Sequence, residues 1–154
     1  MDEMESSTIV AARRFLVLLK QGKPSSDREF AQALDELAMA YHQTPEGDPA
    51  DGGATPPSEE YRERYARLAK RFPDFGDYTV GNWSEPLSKE SVIADAIDDL
   101  ADIEGDLEDA VWRYENVGVD DANWHFRFNF EVHWGRHLRG LSRYLFERIA
   151  RSDA

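Results

Sequence analysis

The chain has 154 residues, with 31 Asp and Glu against 18 Lys and Arg, a formal net charge of −13, four histidines and no cysteine. That length suits a single domain burying roughly two-thirds of its unfolded surface, and the lack of cysteine excludes disulfides, thiolate catalysis and Cys-ligated zinc. The charge argues against nucleic acid and anionic membranes as partners, since both would be approached against the net field, and it favours a cation or a basic protein partner.

The N-terminus, Met1-Asp2-Glu3-Met4-Glu5, has the wrong charge for a secretory signal, and the longest apolar run is only Phe15 to Leu19. A cytoplasmic protein without a membrane segment is therefore expected. Ile9, Ala12, Phe15, Leu16 and Leu19 recur at helical spacing, and Gly22 with Pro24 stops that helix. A second helix opens at Ser26-Asp27-Arg28-Glu29, a capping-box spacing, and carries Phe30, Leu34, Leu37 and Tyr41 on one face. Residues 44–57 are rich in Pro, Gly and Asp with no large apolar side chain, which predicts a mobile loop. A third helix follows, with Tyr61, Tyr65, Leu68 and Phe72 as its buried edge and an Arg-rich outer face, ended by Pro73.

Residues 73–87 contain Gly76, Gly81 and Pro86 and read as an irregular connection, held on the core by Phe75, Tyr78, Val80 and Trp83. From Ser88 an acidic helix is predicted. Its segment Ser91 to Asp109 holds eight acidic side chains and no Lys or Arg. After a turn at Gly118, a last helix runs from about Trp124 to Ile149. The alternation of Trp124, Phe126, Phe128 and Phe130 would also suit a strand, but a lone strand has no partner.

On a helical wheel the acidic segment separates into two faces. Ile93, Ile97, Leu100, Leu107, Val111 and Tyr114 form the apolar one; Asp95, Asp98, Asp99, Asp102, Asp106 and Asp109 form the other. Glu104 falls inside the apolar stripe, where it must find an Arg or be lifted to the surface by a bend near Gly105. The aspartates repel one another at i,i+3 and i,i+4. They are either solvated or neutralised by the last helix, through Arg127, Arg136, Arg139, Arg143, Arg148 and Arg151 or through its histidines.

His133 and His137 are four apart, so both rings leave the helix on one side, as paired metal ligands require. Trp134 stands where a helical zinc-hydrolase motif would place its Glu base, which excludes that motif. A divalent-metal site from His133, His137, Asp102 and Asp106 remains, with Asp98 or Glu104 as base; the plainer reading is histidines held by Asp102 or Asp106 as acceptors. Gly135 suggests a close helix–helix approach, and Trp124 and Trp134, with Trp83 and Trp112, are read as packing residues. No phosphate-binding glycine loop, nucleophile elbow or EF-hand sequence is present.

Three motifs resemble those of the uncharacterised bacterial family called domain of unknown function 5063: Phe72-Pro73-Asp74-Phe75-Gly76-Asp77-Tyr78, the run Asp95 to Leu107, and Trp124 to His137 ending His133-Trp134-Gly135-Arg136-His137. The resemblance covers roughly Phe30 to Leu145. It implies a helical domain of unknown activity whose motif acids are Asp98, Asp99, Asp102 and Asp106 and whose motif histidines are His133 and His137. Glu104 stands where that family is expected to carry an aromatic residue, and the 44–57 segment reads as an insertion particular to this chain.

The expectation is an all-α, single-domain bundle of about five helices spanning residues 1–154, with the acidic helix and the Trp/His helix as a long C-terminal hairpin. Two functions compete. One is a non-enzymatic acidic interaction or regulatory module that binds a basic protein and needs no cofactor; the other is a metal-dependent hydrolase using the Asp/His site between the last two helices. Nothing in the pattern specifies an oligomeric state.

Overall fold

The computed structural model describes residues 5–24, 26–82 and 84–152. Helix α1 (Ser7–Lys20) buries Ile9, Ala12, Phe15 and Leu19, and α2 (Asp27–Gln43) buries Phe30, Leu34 and Leu37, as their spacing predicts. The Ser26 hydroxyl accepts the Glu29 backbone N–H at 3.2 Å, so the N-cap forms where it was read. Phe30 is the hub of the first half of the core, meeting Phe15, Phe72 and Phe75 edge-on with ring centroids 6.1, 5.2 and 5.9 Å away.

The 44–57 segment has no regular secondary structure, yet its first part is tied down. Thr44 is buried and shares a hydrogen bond with Thr8, and the Ala50 N–H donates to the Asp121 carboxylate at 2.8 Å. Gly47, at φ +68°, lies against the Asp120 carbonyl where a Cβ would collide.

Helix α3 (Tyr61–Arg71) corrects two expectations. Tyr61 is exposed rather than buried, and the Arg-rich face is not wholly outward, because Arg64 is only 4% exposed. Arg64 points at Glu104.

The connection at 73–87 is not wholly irregular. Strand β1 (Asp77–Gly81) pairs antiparallel with β2 (Ser91–Asp95), Tyr78 opposite Ala94 and Val80 opposite Val92. The acidic helix α4 therefore begins at Ala96, not Ser88, and ends at Asn116. Local chemistry explains the boundary: Val92 and Ile93 are β-branched and suit a strand, and the Asp95 carboxylate accepts the Ile97 N–H at 2.8 Å as a helix N-cap. Ile93, placed on the apolar face by the wheel, is 72% exposed in β2. Phe75 and Tyr78 pack against the core as expected, whereas Trp83 lies outside the described residues.

Helix α4 is the central element, packed against α1, α3 and the C-terminal rod. That rod is α5 (Val119–Asn129), a π turn (Phe130–Trp134) and α6 (Gly135–Ser152) in direct succession. The Trp124–Phe130 alternation is helical, with Phe126 and Trp134 buried, Phe128 partly exposed and Trp124 stacked on Phe128 at 4.8 Å. Counting the rod once, the described residues form an all-α bundle of five helices with one small hairpin. None of its helices is long and apolar enough to cross a membrane.

Gly135 supports a close approach, but not the one expected. Its neighbour is the rod itself: the Gly135 N–H reaches the Phe130 carbonyl five residues back, and a Cβ there would overlap that oxygen. The helix–element approach occurs instead at Gly140, where a Cβ would strike the Tyr78 hydroxyl.

Candidate functional site

Helix α4 presents Asp98, Asp99, Asp102 and Asp106 toward the rod, which returns antiparallel and places His133 and His137 over them. His133 Nδ1 lies 2.6 Å from Asp106 Oδ2, and His137 Nδ1 lies 2.8 Å from Asp99 Oδ1. The other ring nitrogens turn to one shared carboxylate: Asp102 Oδ2 is 3.0 Å from His137 Nε2 and 3.8 Å from His133 Nε2. The rings stand 5.1 Å apart, edge to face. Each histidine thus has a carboxylate behind it, and the two have Asp102 in common between them.

Tyrosines complete the arrangement. The Tyr78 hydroxyl from β1 donates to Asp99, Tyr61 from α3 donates to Asp98, and Tyr65 donates to Asp95. These rings were expected as packing only. Their polar role has a trace in the sequence, since Tyr61 and Tyr65 are four apart on α3, but nothing local pairs them with α4.

The electrostatics follow from burial and these contacts. Asp99 is 4% exposed; burial raises its carboxyl pKa against the lowering effect of His137 and Tyr78. Burial likewise raises Asp106, opposed by His133. For His137, burial pulls the pKa down, but hydrogen bonds to Asp102 and Asp99 and their charges outweigh it and lift it to about 10. Without a metal the His137 ring is an imidazolium donating from both nitrogens. Burial and the neighbouring aspartates hold the Tyr61 and Tyr78 hydroxyls far above the ordinary phenol range, so both stay protonated donors.

Two of the rod's arginines, Arg127 and Arg148, do not serve this face. Arg127 donates to the Tyr41 and Thr44 carbonyls, and Arg148 to Asp27 at 2.9 Å and to the Asp74 carbonyl. Asp109 belongs elsewhere, chelated by Arg113 at 3.0 Å. Glu104 lies on the opposite flank of α4, fully buried and held by Arg64 at 3.0 Å and by Arg67, so it is remote from the histidines as a base.

Two clefts reach the cluster. One, of about 310 Å³, is walled by Val80, Val92, Val132, Asp98, Asp99 and both histidines. The other, of about 480 Å³, is walled by Tyr61, Arg64, Asp102, Asp106 and His133. His133 stands between them, partly exposed. Among the described residues, two sets bring ligand atoms within 4.8 Å of one another: Asp102 with His133 and His137, and Asp98 with Asp99 and His137. In the second, Asp99 is already occupied by Tyr78 and by His137 Nδ1.

Fold and site together define a helical-bundle domain with a carboxylate–histidine seam between its central helix and its C-terminal rod. The chain belongs to the family described as domain of unknown function DUF5063, which matches residues 2–150, a longer span than the motifs alone suggested. Its fold is similar to that of the protein BF1032 from Bacteroides fragilis, a structural-genomics crystal structure, with a TM-score of 0.69 at 20% identity, covering 92% of this chain and 89% of that one. Among curated proteins, no relative matches the sequence.

Proposed function

We propose that this protein is a metal-dependent domain that holds one divalent transition-metal ion through Asp102, His133 and His137 and uses it for hydrolytic chemistry. One observation carries the reading: each histidine's Nδ1 is engaged by its own carboxylate, Asp106 or Asp99, while both Nε2 atoms turn toward Asp102. That is how ligating histidines are oriented, with an outer carboxylate fixing the tautomer and leaving the far nitrogen for the ion. In a tetrahedral site with bonds of about 2.0–2.1 Å, neighbouring ligand atoms lie roughly 3.3 Å apart. The Asp102–histidine separations of 3.0 and 3.8 Å bracket that spacing.

Three protein ligands leave a coordination position for water, and a metal-bound water ionises near pH ~7. Asp98, which lines the same cleft as both histidines, is the candidate base. An acidic module binding a basic protein would need the aspartate face free. Instead Asp95, Asp98, Asp99, Asp102, Asp106 and Asp109 each have a Tyr, His or Arg partner within the chain, which weighs against that alternative.

The test is the melting temperature of chelator-stripped protein titrated with Mg²⁺, Mn²⁺, Fe²⁺, Ni²⁺ and Zn²⁺. A saturable rise is expected for a transition metal, corresponding to about 2.7 kcal/mol at a hundredfold excess over Kd. It should vanish in Asp102→Asn and His137→Ala, and the loaded wild type alone should hydrolyse members of a p-nitrophenyl ester panel. A flat response to every metal would end the reading.

A further inference from the structure

A third cleft, of about 660 Å³, opens between the β1–β2 connection and α6, and its chemistry is opposite to that of the seam. Its walls carry Lys89, Arg139 and Arg143 against one carboxylate, Glu90. Arg139 and Arg143 are exposed, four apart on α6, and neither makes a hydrogen bond or ion pair among the described residues.

Arg13, Lys20, Arg64, Arg67, Arg113 and Arg148 all find carboxylates. Two guanidiniums on adjacent turns repel each other unless an anion lies beside them. The polar groups near them add donors. Ser88 uses its oxygen to accept the Glu90 N–H, and the Asn82 side-chain oxygen accepts the Ser84 N–H, so the Ser88 hydroxyl proton and the Asn82 NH₂ remain to be donated.

We propose that this cleft is an anion-binding site that takes the phosphate group of a small-molecule phosphate monoester. Three cations against one carboxylate leave a formal excess of two positive charges, which a phosphate dianion balances. Two guanidinium forks, an ammonium and neutral donors match its acceptor-rich oxygens better than they match a carboxylate. Val80 is a wall shared with the His133/His137 cleft. The site does not depend on the metal.

The probe is inorganic phosphate, titrated by calorimetry into the full chain after stripping with chelator and dialysis free of it, in a non-phosphate buffer of low ionic strength. Saturable binding is expected in the wild type and in His137→Ala. Arg139→Gln and Arg143→Gln should each weaken it roughly tenfold or more, the effect of losing one charge-assisted contact, with unchanged melting temperatures because both side chains are exposed. If the wild type shows no saturable binding, or binds phosphate as well as the two Arg variants do, the assignment is overturned. Phosphate that binds only when metal is added and is lost in Asp102→Asn would also overturn it, and would leave the metal reading intact.

Discussion

The two flanks of α4 solve the same problem with different chemistry. On one flank, Glu104 is fully buried and meets Arg64 and Arg67 from α3, with Glu59 and Glu108 bonded to the outer guanidinium nitrogens. On the other, Asp99, Asp102 and Asp106 meet His133 and His137 from the rod. Arginine is charged at every relevant pH and offers only donors, so the first flank has a single state. Histidine can give up its proton and then offers a lone pair, so the second flank has the chemistry that the proposed exchange of a proton for a metal ion requires. One seam can only hold the bundle together; the other, under the proposed function, would also react.

The largest break is expected on the arginine flank. Glu104→Ala leaves Arg64 buried without its partner and should cost about 3–5 kcal/mol in denaturant unfolding, while the surviving folded protein keeps its metal response. A lost metal response in that variant would mean the flanks are not separate.

Next comes the geometry of the rod. Gly135→Ala drives a methyl into the Phe130 carbonyl and should cost about 1–3 kcal/mol as the π turn is forced to readjust. Because that turn sets His133 relative to His137, metal affinity should fall with it, as a calorimetric titration would read. Full affinity in this variant would show that the π turn is not what aligns the pair.

His137→Ala should cost about 1–3 kcal/mol in metal-free protein, since Asp99 loses a buried donor. The pH dependence sharpens this. The folded pKa of His137, about 10, lies above its ordinary value, so the folded state holds the proton more tightly. The stabilisation is complete below about pH 6.5 and is lost as pH rises through about 10, so metal-free wild type should lose its stability margin over His137→Gln across that window. Asp99 and Asp106, also raised, act with the same sign but over the range just above the ordinary carboxylate pKa. Since metal must displace the His137 proton, metal affinity should climb with pH; a pH-independent affinity would place the ion elsewhere.

The smallest stability effect belongs to Asp102→Asn. Its amide oxygen still accepts from His137, so about 0.5–1.5 kcal/mol is expected in metal-free protein, against complete loss of the metal-dependent shift. That split between slight destabilisation and lost metal response is what the arginine flank should never show.

What was legible in the sequence was what short-range periodicity can encode. Phe15, Phe30, Leu34 and Leu37 repeat at helical spacing, and the helices they predict are those seen. The separation of α4 into apolar and acidic faces, the one-sided His133/His137 pair and the misfit of Glu104 were equally visible, because each follows from the angle between residues on one helix. The family motifs marked the same acids and histidines.

Contacts between elements were not legible. Ser91 to Asp95 continues the apolar spacing of α4, and only pairing with β1 makes it a strand. Arg64 looked like part of a solvated face until α3 docked on α4, and the hydroxyls of Tyr61 and Tyr78 found Asp98 and Asp99 across three elements. The sequence by itself determined which side chains share a helix face, since that depends on a rotation of about 100° per residue. Only the tertiary structure decided which face met which, because the partners of a buried charge are chosen by packing and desolvation over the whole bundle, and no local pattern carries that information.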